Sequence, residues 1–238
     1  MKKVILLAAS LLLMAFQANA QLTADAGYIH AFERFKANYK VLQGTVEIND
    51  SGTSSLDGFY AGAKYGIALD GITEGLSVAP GANFSFLFGK EEGIADVMNV
   101  GSVSHVTEVA LNIPVLVQYA YELGQDFKLT AYAGPTFQCG ILNRAIDGED
   151  NPSLIYNQYK TVERGLLGTD ALGVTHWYDG DIPARNRINL FLGLGVGFEV
   201  AQKVQLNVGY DFGLFNLSSG DGFKITRSQL KIGLGYIF

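Results

Sequence analysis

Residues 228–238 read SQLKIGLGYIF, with Leu230, Ile232, Leu234, Tyr236 and Phe238 apolar and Gln229, Lys231, Gly233 and Gly235 between them. Strict alternation of this kind is the period of a β-strand, whose successive side chains point to opposite faces. One face is continuous and greasy, and the other is small or polar.

The same alternation recurs upstream. Ile188, Leu190, Leu192, Leu194, Val196, Phe198 and Val200 share one face, and Asn189, Phe191, Gly193, Gly195, Gly197 and Glu199 the other. After a tight turn at AQK (201–203), Val204, Leu206, Val208, Tyr210, Phe212 and Leu214 come back. Alternating apolar positions also run from Phe127 to Cys139, from Val109 to Tyr121, from Leu76 to Phe88 and from Phe59 to Leu69. A less regular strand near Leu22 to Phe35 brings the predicted total to eight. The connections alternate in length: long (about 36–57), short, long (90–104), short, very long (142–187), short, medium (216–224). In an up-and-down meander every other connection falls on the same side, so all the long loops share one side.

Period alone does not say which face meets water. In a soluble barrel such as a lipocalin the apolar face turns inward, and in a transmembrane barrel it turns outward. Here the apolar faces carry nearly all the bulky aromatics. Tyr119, Tyr121, Phe127, Phe198, Tyr236 and Phe238 cluster on the short-turn side, and Phe59, Phe88 and Phe137 towards the loops, as two aromatic girdles would. The opposite faces are Gly, Ala, Ser, Thr, Asn and Gln, interspersed with Lys64, Glu108, Lys128, Glu199, Asp211, Arg227 and Lys231. These seven charges suit a narrow lumen in which opposite charges pair. Small residues on the inward faces of the last strands leave room there for Tyr60, Tyr132, Phe191 and Phe215. The predicted fold is therefore all-β, an eight-stranded antiparallel up-and-down transmembrane β-barrel. A strand needs only about 9–11 residues to cross a bilayer at about 45° tilt, so the longer ones should protrude.

Composition agrees. The 238 residues suit one all-β domain, and the 29 glycines with 27 Tyr and Phe suit a sheet that bends and presents rings. Residues 1–20 read as a cleavable export signal: Lys2 and Lys3 precede an apolar run from Val4 to Phe16 and a small-x-small site at Ala18 to Ala20. The barrel is then 21–238, placed in the cell outer membrane. Removing Lys2 and Lys3 from the 17 Lys and Arg leaves 15 against 23 Asp and Glu, a formal charge of −8 that argues against nucleic-acid binding. The single cysteine, Cys139, permits no intramolecular disulfide.

The segments EVALNIPVLVQY (108–119), YAGPTF (132–137), NLFLGLGVGFEVAQKVQLNVGYDFGLFNL (189–217) and LKIGLGYIF (230–238) together resemble the PorT-like outer-membrane β-barrel family of Bacteroides-type bacteria, a barrel similar to the OmpA/OmpX kind. The resemblance runs in order from about Glu108 to Phe238. It implies an eight-stranded outer-membrane barrel whose terminal aromatic residues, Tyr236 and Phe238, are read by the barrel-assembly machinery. It carries over no catalytic residue.

Sharper readings are few. His105 shares the parity of the lipid-facing residues, with Thr107 two residues on, so an enzyme acting on outer-membrane lipid could centre there; it would need an oriented base and an acid partner, and Glu108 has the opposite parity. The acidic run 147–151 (DGEDN) could ligate Ca²⁺, but Pro152 stands where an EF-hand wants glycine, and a solvated loop is expected. Trp177 and Tyr178, inside the long excursion, are candidate partner-binding aromatics or the small core of a lid, and NQYKTVERGLLG (157–168) could form a short helix. No cofactor or metal is expected.

The expected function is thus structural or binding, without catalysis, through extracellular loops. The expected partners are outer-membrane lipid, the assembly machinery and an unidentified extracellular or periplasmic partner, for a monomeric barrel. Rival readings are the lipid-modifying enzyme, a subunit of a secretion complex, and a secreted lipocalin-like carrier in which the apolar faces would line a cavity. Deleting Phe238 should impair assembly far more than the stability of a folded barrel. The check is the amount of protein reaching the outer membrane against the urea midpoint of protein refolded into lipid vesicles, and normal accumulation of the truncated chain would exclude the assembly role.

Overall fold

A computed structural model describes residues 20–40, 47–69, 71–91, 104–147, 151–154, 160–169, 175–182, 185–218 and 223–238, with backbone alone for the strands inside 151–182. The strands in chain order are β1 (Ala20–Lys40), β2 (Glu47–Ala68), β3 (Leu76–Glu91), β4 (Ser104–Glu122), β5 (Phe127–Asp147), β6 (Asn151–Leu154), β7 (Lys160–Thr169), β8 (Thr175–Ile182), β9 (Ile188–Val200), β10 (Val204–Gly213) and β11 (Phe223–Ile237). The sheet order is β4-β3-β2-β1-β11-β10-β9-β5, and β5 pairs back onto β4, closing a barrel of eight antiparallel strands. Closure runs through β1 and β11 from Thr23↔Ile237 to Ala37↔Phe223, and the Phe238 amide donates to the Leu22 carbonyl at 2.9 Å. No barrel strand is left with an unpaired edge, the condition for placing a sheet in hydrocarbon.

The side chains divide as the alternation requires. On β11, Ile232, Leu234 and Tyr236 are exposed while Gly233, Gly235 and Ile237 are buried. Both aromatic clusters lie on the outside, from Tyr119, Tyr121, Phe127, Phe198, Tyr236 and Phe238 to Phe59, Phe88 and Phe137. This inverts a lipocalin, whose apolar face would be enclosed. β1 and β2 run to 21 and 22 residues, about twice what a bilayer crossing needs, so their hairpin extends past the membrane.

Turn chemistry is visible at the β9–β10 hairpin. Ala201 and Gln202 take φ of 53° and 55°, and Lys203 N–H donates to the Val200 carbonyl at 3.1 Å. Two consecutive left-handed residues give a connection whose twist matches that of the flanking strands.

Glycines on the inward face are matched to rings. Tyr60 pairs across the sheet with Gly27, which pairs with Gly233, and a Cβ on Gly233 would stand 2.1 Å from the Tyr60 hydroxyl. Tyr132 lies similarly over Gly195 and Gly209, where an added Cβ would stand 2.4 Å and 2.5 Å from its hydroxyl. Each tyrosine thus occupies the space that two neighbouring strands leave by carrying no side chain.

Several expectations change. The first long connection, expected over 36–57, is largely hairpin, because β1 and β2 stay paired out to Lys40↔Glu47. The stretch 157–168 is not a helix where it is described: β7 pairs with β8 from Lys160↔Ile182 to Thr169↔Thr175, and this cross-strand pairing overrides helix preference. Phe215 is exposed rather than in the lumen, since β10 ends at Gly213 and the chain leaves its period there. The inward faces also hold more hydrocarbon than expected. Ile29, Ala31, Leu56, Leu87 and Val106 form a buried cluster with Tyr60, and Phe35, Leu217 and Ile225 a second one. Of the export signal expected at residues 1–20, residues 1–19 lie outside the described residues, and Ala20 is the first residue of β1.

Replacing Gly233 with alanine should cost about 1–3 kcal/mol of unfolding free energy, the usual penalty of overpacking. The same substitution made in a Tyr60→Leu background should cost much less, because the clashing ring is gone. Urea unfolding of the four proteins in lipid vesicles measures the difference.

Candidate functional site

The lumen gathers most of the charges that the alternation assigns to it. On the loop side, Arg227 of β11 donates from Nε to Glu33 Oε1 at 2.6 Å and grips Glu108 with both terminal nitrogens, Nη2 to Oε2 at 2.7 Å. Arg185, just before β9, donates to the same Glu33 oxygen and lies 3.8 Å from Glu108. Asn143 of β5 adds a 3.2 Å hydrogen bond to Glu108 Oε2. The quartet is balanced, two guanidiniums against two carboxylates, and each of its four side chains is at least 95% buried. Paired forks of this kind are the strong ion pairs of protein interiors, whereas a lone charge there would be costly.

Below the quartet the polar filling continues. Asn112 Nδ2 donates to Asn83 and to Ser85, both at 3.0 Å, and Gln138 donates to Asn112 at 2.9 Å. Mid-barrel, Lys231 Nζ sits 2.7 Å from Asp211 Oδ2, which also accepts from Gln229 at 2.8 Å. Lys231 also lies 5.9 Å from the centre of the Tyr60 ring. A cavity here, lined by Asp25, Tyr60, Tyr132 and Asp211, is only about 60 Å³, room for little more than water. Towards the short turns the lumen opens into a vestibule of about 520 Å³ holding Lys64, Lys128 and Glu199. Lys64 donates to Gln205 at 3.0 Å, and Lys128 pairs with the exposed Glu122 at 3.2 Å. The barrel is thus open at the short-turn end and packed from its middle to the loop side.

All seven charges assigned to the lumen face it: Lys64, Glu108, Glu199, Asp211 and Arg227 are buried, and Lys128 and Lys231 half-buried. They do not form one network. Arg227 and Glu108 share the quartet, Asp211 and Lys231 form a separate pair, and Lys64, Lys128 and Glu199 border the vestibule. Sequence reasoning missed Glu33 and Arg185. Glu33 shares the odd parity of Thr23 and Ile29, but β1 carries apolar residues on both faces, so its parity was not decisive. Arg185 precedes β9 in the excursion and gives no periodic signal at all.

The other sequence candidates separate. His105 is exposed on the outer wall, and among the described residues it makes no hydrogen bond to a hydroxyl; Glu108, its nearest acid in sequence, is turned inward onto Arg227. Trp177 and Tyr178 fall in β8, opposite Leu166 and Gly165, but their side chains lie outside the description; of the acidic run 147–151, residues 148–150 lie outside the described residues, and Asp147 and Asn151 are paired ends of β5 and β6. Tyr236 and Phe238 pack edge to face at 5.0 Å on the outer rim of the short-turn side. Among the described residues no cluster of His, Cys, Asp and Glu could hold a metal.

A family model described as outer membrane protein beta-barrel domain matches residues 5–238. Among solved structures, the chain is similar to Ail of Yersinia pestis in complex with the heparin analogue sucrose octasulfate, at 12% identity, 92% of this chain, 99% of that one and a TM-score of 0.41. It is also similar to Neisserial surface protein A (15% identity, 90% and 99% covered, TM-score 0.35) and to OprG from Pseudomonas aeruginosa (12%, 92% and 96%, TM-score 0.37). No curated protein matches the chain.

Replacing Arg227 with methionine leaves Glu33 and Glu108 buried against Arg185 alone, and should cost about 3–5 kcal/mol of unfolding free energy. Adding Glu108→Gln restores the charge balance and should recover a large part of that loss. Equilibrium unfolding in lipid vesicles checks both, and equal stability of the two variants would count against the quartet as a balanced unit.

Proposed function

We propose, from the premise that this chain belongs to the outer membrane protein beta-barrel domain family, that it is a closed, non-conducting barrel which acts by binding through its loop side and performs no catalysis. The observation that carries this reading is the buried quartet of Glu33, Glu108, Arg185 and Arg227. Four charged side chains locked across the lumen oppose a water-filled path. What remains available is the long hairpin of β1 and β2 and the excursion holding β6, β7 and β8, all on the side opposite the short turns. Paired strands projecting beyond a membrane offer a stiff scaffold for contact with a partner.

The finer parts of the reading are that the loop side faces the cell exterior, that the barrel is a monomer following the PorT-like pattern, and that Tyr236 and Phe238 are the assembly signal. Trp177 and Tyr178 are the aromatic residues of the excursion best suited to anchor a partner. The formal charge of −6 for the whole chain disfavours nucleic acid among those partners.

Two measurements test the reading. The wild-type protein should show no steady conductance in a planar bilayer. Replacing 148–184 by a short Gly/Ser linker should abolish the cross-linked partners captured from intact outer membranes while leaving the barrel's heat-modifiable mobility on gels unchanged. A steady open channel, or partners retained after excision, would overturn it.

A further inference from the structure

A second cluster of polar side chains lies on the outside of the barrel, where the lumen network plays no part. Tyr28 and His30 share the outer face of β1, and Asp57 of β2 is the direct cross-strand partner of His30. His30 Nδ1 stands 2.6 Å from Asp57 Oδ1, and the Tyr28 hydroxyl donates to the same oxygen. Phe32 stands edge-on to the His30 ring, with centroids 4.4 Å apart. The side chains of His30 and Asp57 are 26% and 48% exposed.

The rows around this cluster change character abruptly. One row nearer the short turns, Val208, Ile232, Tyr28, Phe59 and Phe86 form a continuous apolar and aromatic belt across five strands. One row nearer the loops, Phe32 is flanked by Ser228 and Ser55, and in the next row Arg34 is flanked by Thr226 and Thr53. Height on the wall agrees. Counting from Leu22, the eight residues to His30 climb about 20 Å and the twelve to Arg34 about 30 Å, taking about 3.3 Å per residue and about 40° tilt. An apolar band about 25 Å tall ends between them. An outward arginine costs about 2–4 kcal/mol at the midplane and about 0–1 near the interface, which also places Arg34 in the headgroup layer.

At this boundary the surface is concave. A groove of about 1090 Å³ is lined by His30, Phe32 and Arg34 of β1, Ser55 of β2, Phe212 of β10 and Ser228 of β11. Its lowest row offers the His30 ring, its middle row interleaves Phe32 and Phe212 with the hydroxyls of Ser55 and Ser228, and its upper row offers the Arg34 cation. Of the two acidic residues at its lining, Glu33 is buried and paired with Arg185 and Arg227, and Asp57 already accepts from two donors, which draw its charge away from an anion.

We propose that this groove binds one membrane lipid with an anionic phosphate headgroup. An acyl chain lies along Phe32 and Phe212, and the phosphate meets Arg34 with Ser55 and Ser228 as hydroxyl donors. His30, its Nδ1 committed to Asp57, presents Nε2 to the same groove and is a positioning residue rather than a catalytic one. The site is independent of whatever the loops bind, and it requires only that the outer wall faces lipid.

The test uses the full chain in nanodiscs of phosphatidylcholine with and without phosphatidylglycerol. Native mass spectrometry counts retained lipid, and NMR follows the ring signals of His30, separable because the chain has three histidines. Phosphatidylglycerol should be retained and should shift the His30 signals. Arg34→Gln should reduce retention roughly fivefold, the factor one cation contributes at an anionic lipid surface, while Lys203→Gln at the opposite rim should not. Ser228→Leu, which fills the groove without touching a charge, should also reduce retention and serves if Arg34→Gln fails to fold. Equal retention by the folded groove variants and wild type would overturn the site. His30 shifts of the same size from inorganic phosphate added to phosphatidylcholine nanodiscs would overturn the lipid as its ligand.

Discussion

Closure of the sheet between β1 and β11 is the constraint from which the other features follow. A strand in hydrocarbon has no water to satisfy its amides and carbonyls, so an open edge there is untenable. The ladder from Thr23↔Ile237 to Ala37↔Phe223 removes that edge and fixes the barrel at eight strands. At that size the interior is just wide enough for side chains to fill it. The inward faces therefore have to solve a packing problem, and the solution differs along the axis.

In the middle the solution is steric. Tyr60 and Tyr132 each reach across neighbouring strands that carry glycine at the opposing positions, so ring and gap are matched. On the loop side the solution is electrostatic. Arg227 joins Glu33 of β1 to Glu108 of β4, residues on opposite parts of the wall, and Arg185 brings the end of the long excursion into the same cluster. Such a cluster contributes less through its net attraction than through the penalty for any arrangement that leaves one member unpaired. It couples the register of β1, β4 and β11 to the way the excursion rejoins the barrel.

The outer wall obeys the opposite rule. It is apolar wherever acyl chains lie and becomes polar within two rows at the level of His30, Asp57 and Arg34. The inside is thus mostly polar and is packed from its middle to the loop side, and the outside is apolar and open to a fluid partner. A soluble protein of the same strand period would have these two assignments reversed.

The alternation of Leu230 to Phe238 and its repeats by themselves determined the eight barrel strands and the division of their residues between two faces, because a period of two is a local property that every strand writes into its own residues. Which face meets lipid was legible from where the bulky aromatics and the charges fall. The seven lumen charges were legible from the same alternation. What only the tertiary structure decided is which of those charges meet. Glu33, Arg185, Glu108 and Arg227 come from four separate parts of the chain, and no spacing in the sequence records their distances. The same holds for the His30–Asp57 pair, made by the register of β1 on β2, and for β7, whose helix-compatible residues were drawn into a ladder by a partner strand. Parity is encoded locally, whereas register and shear are set by closing the ring.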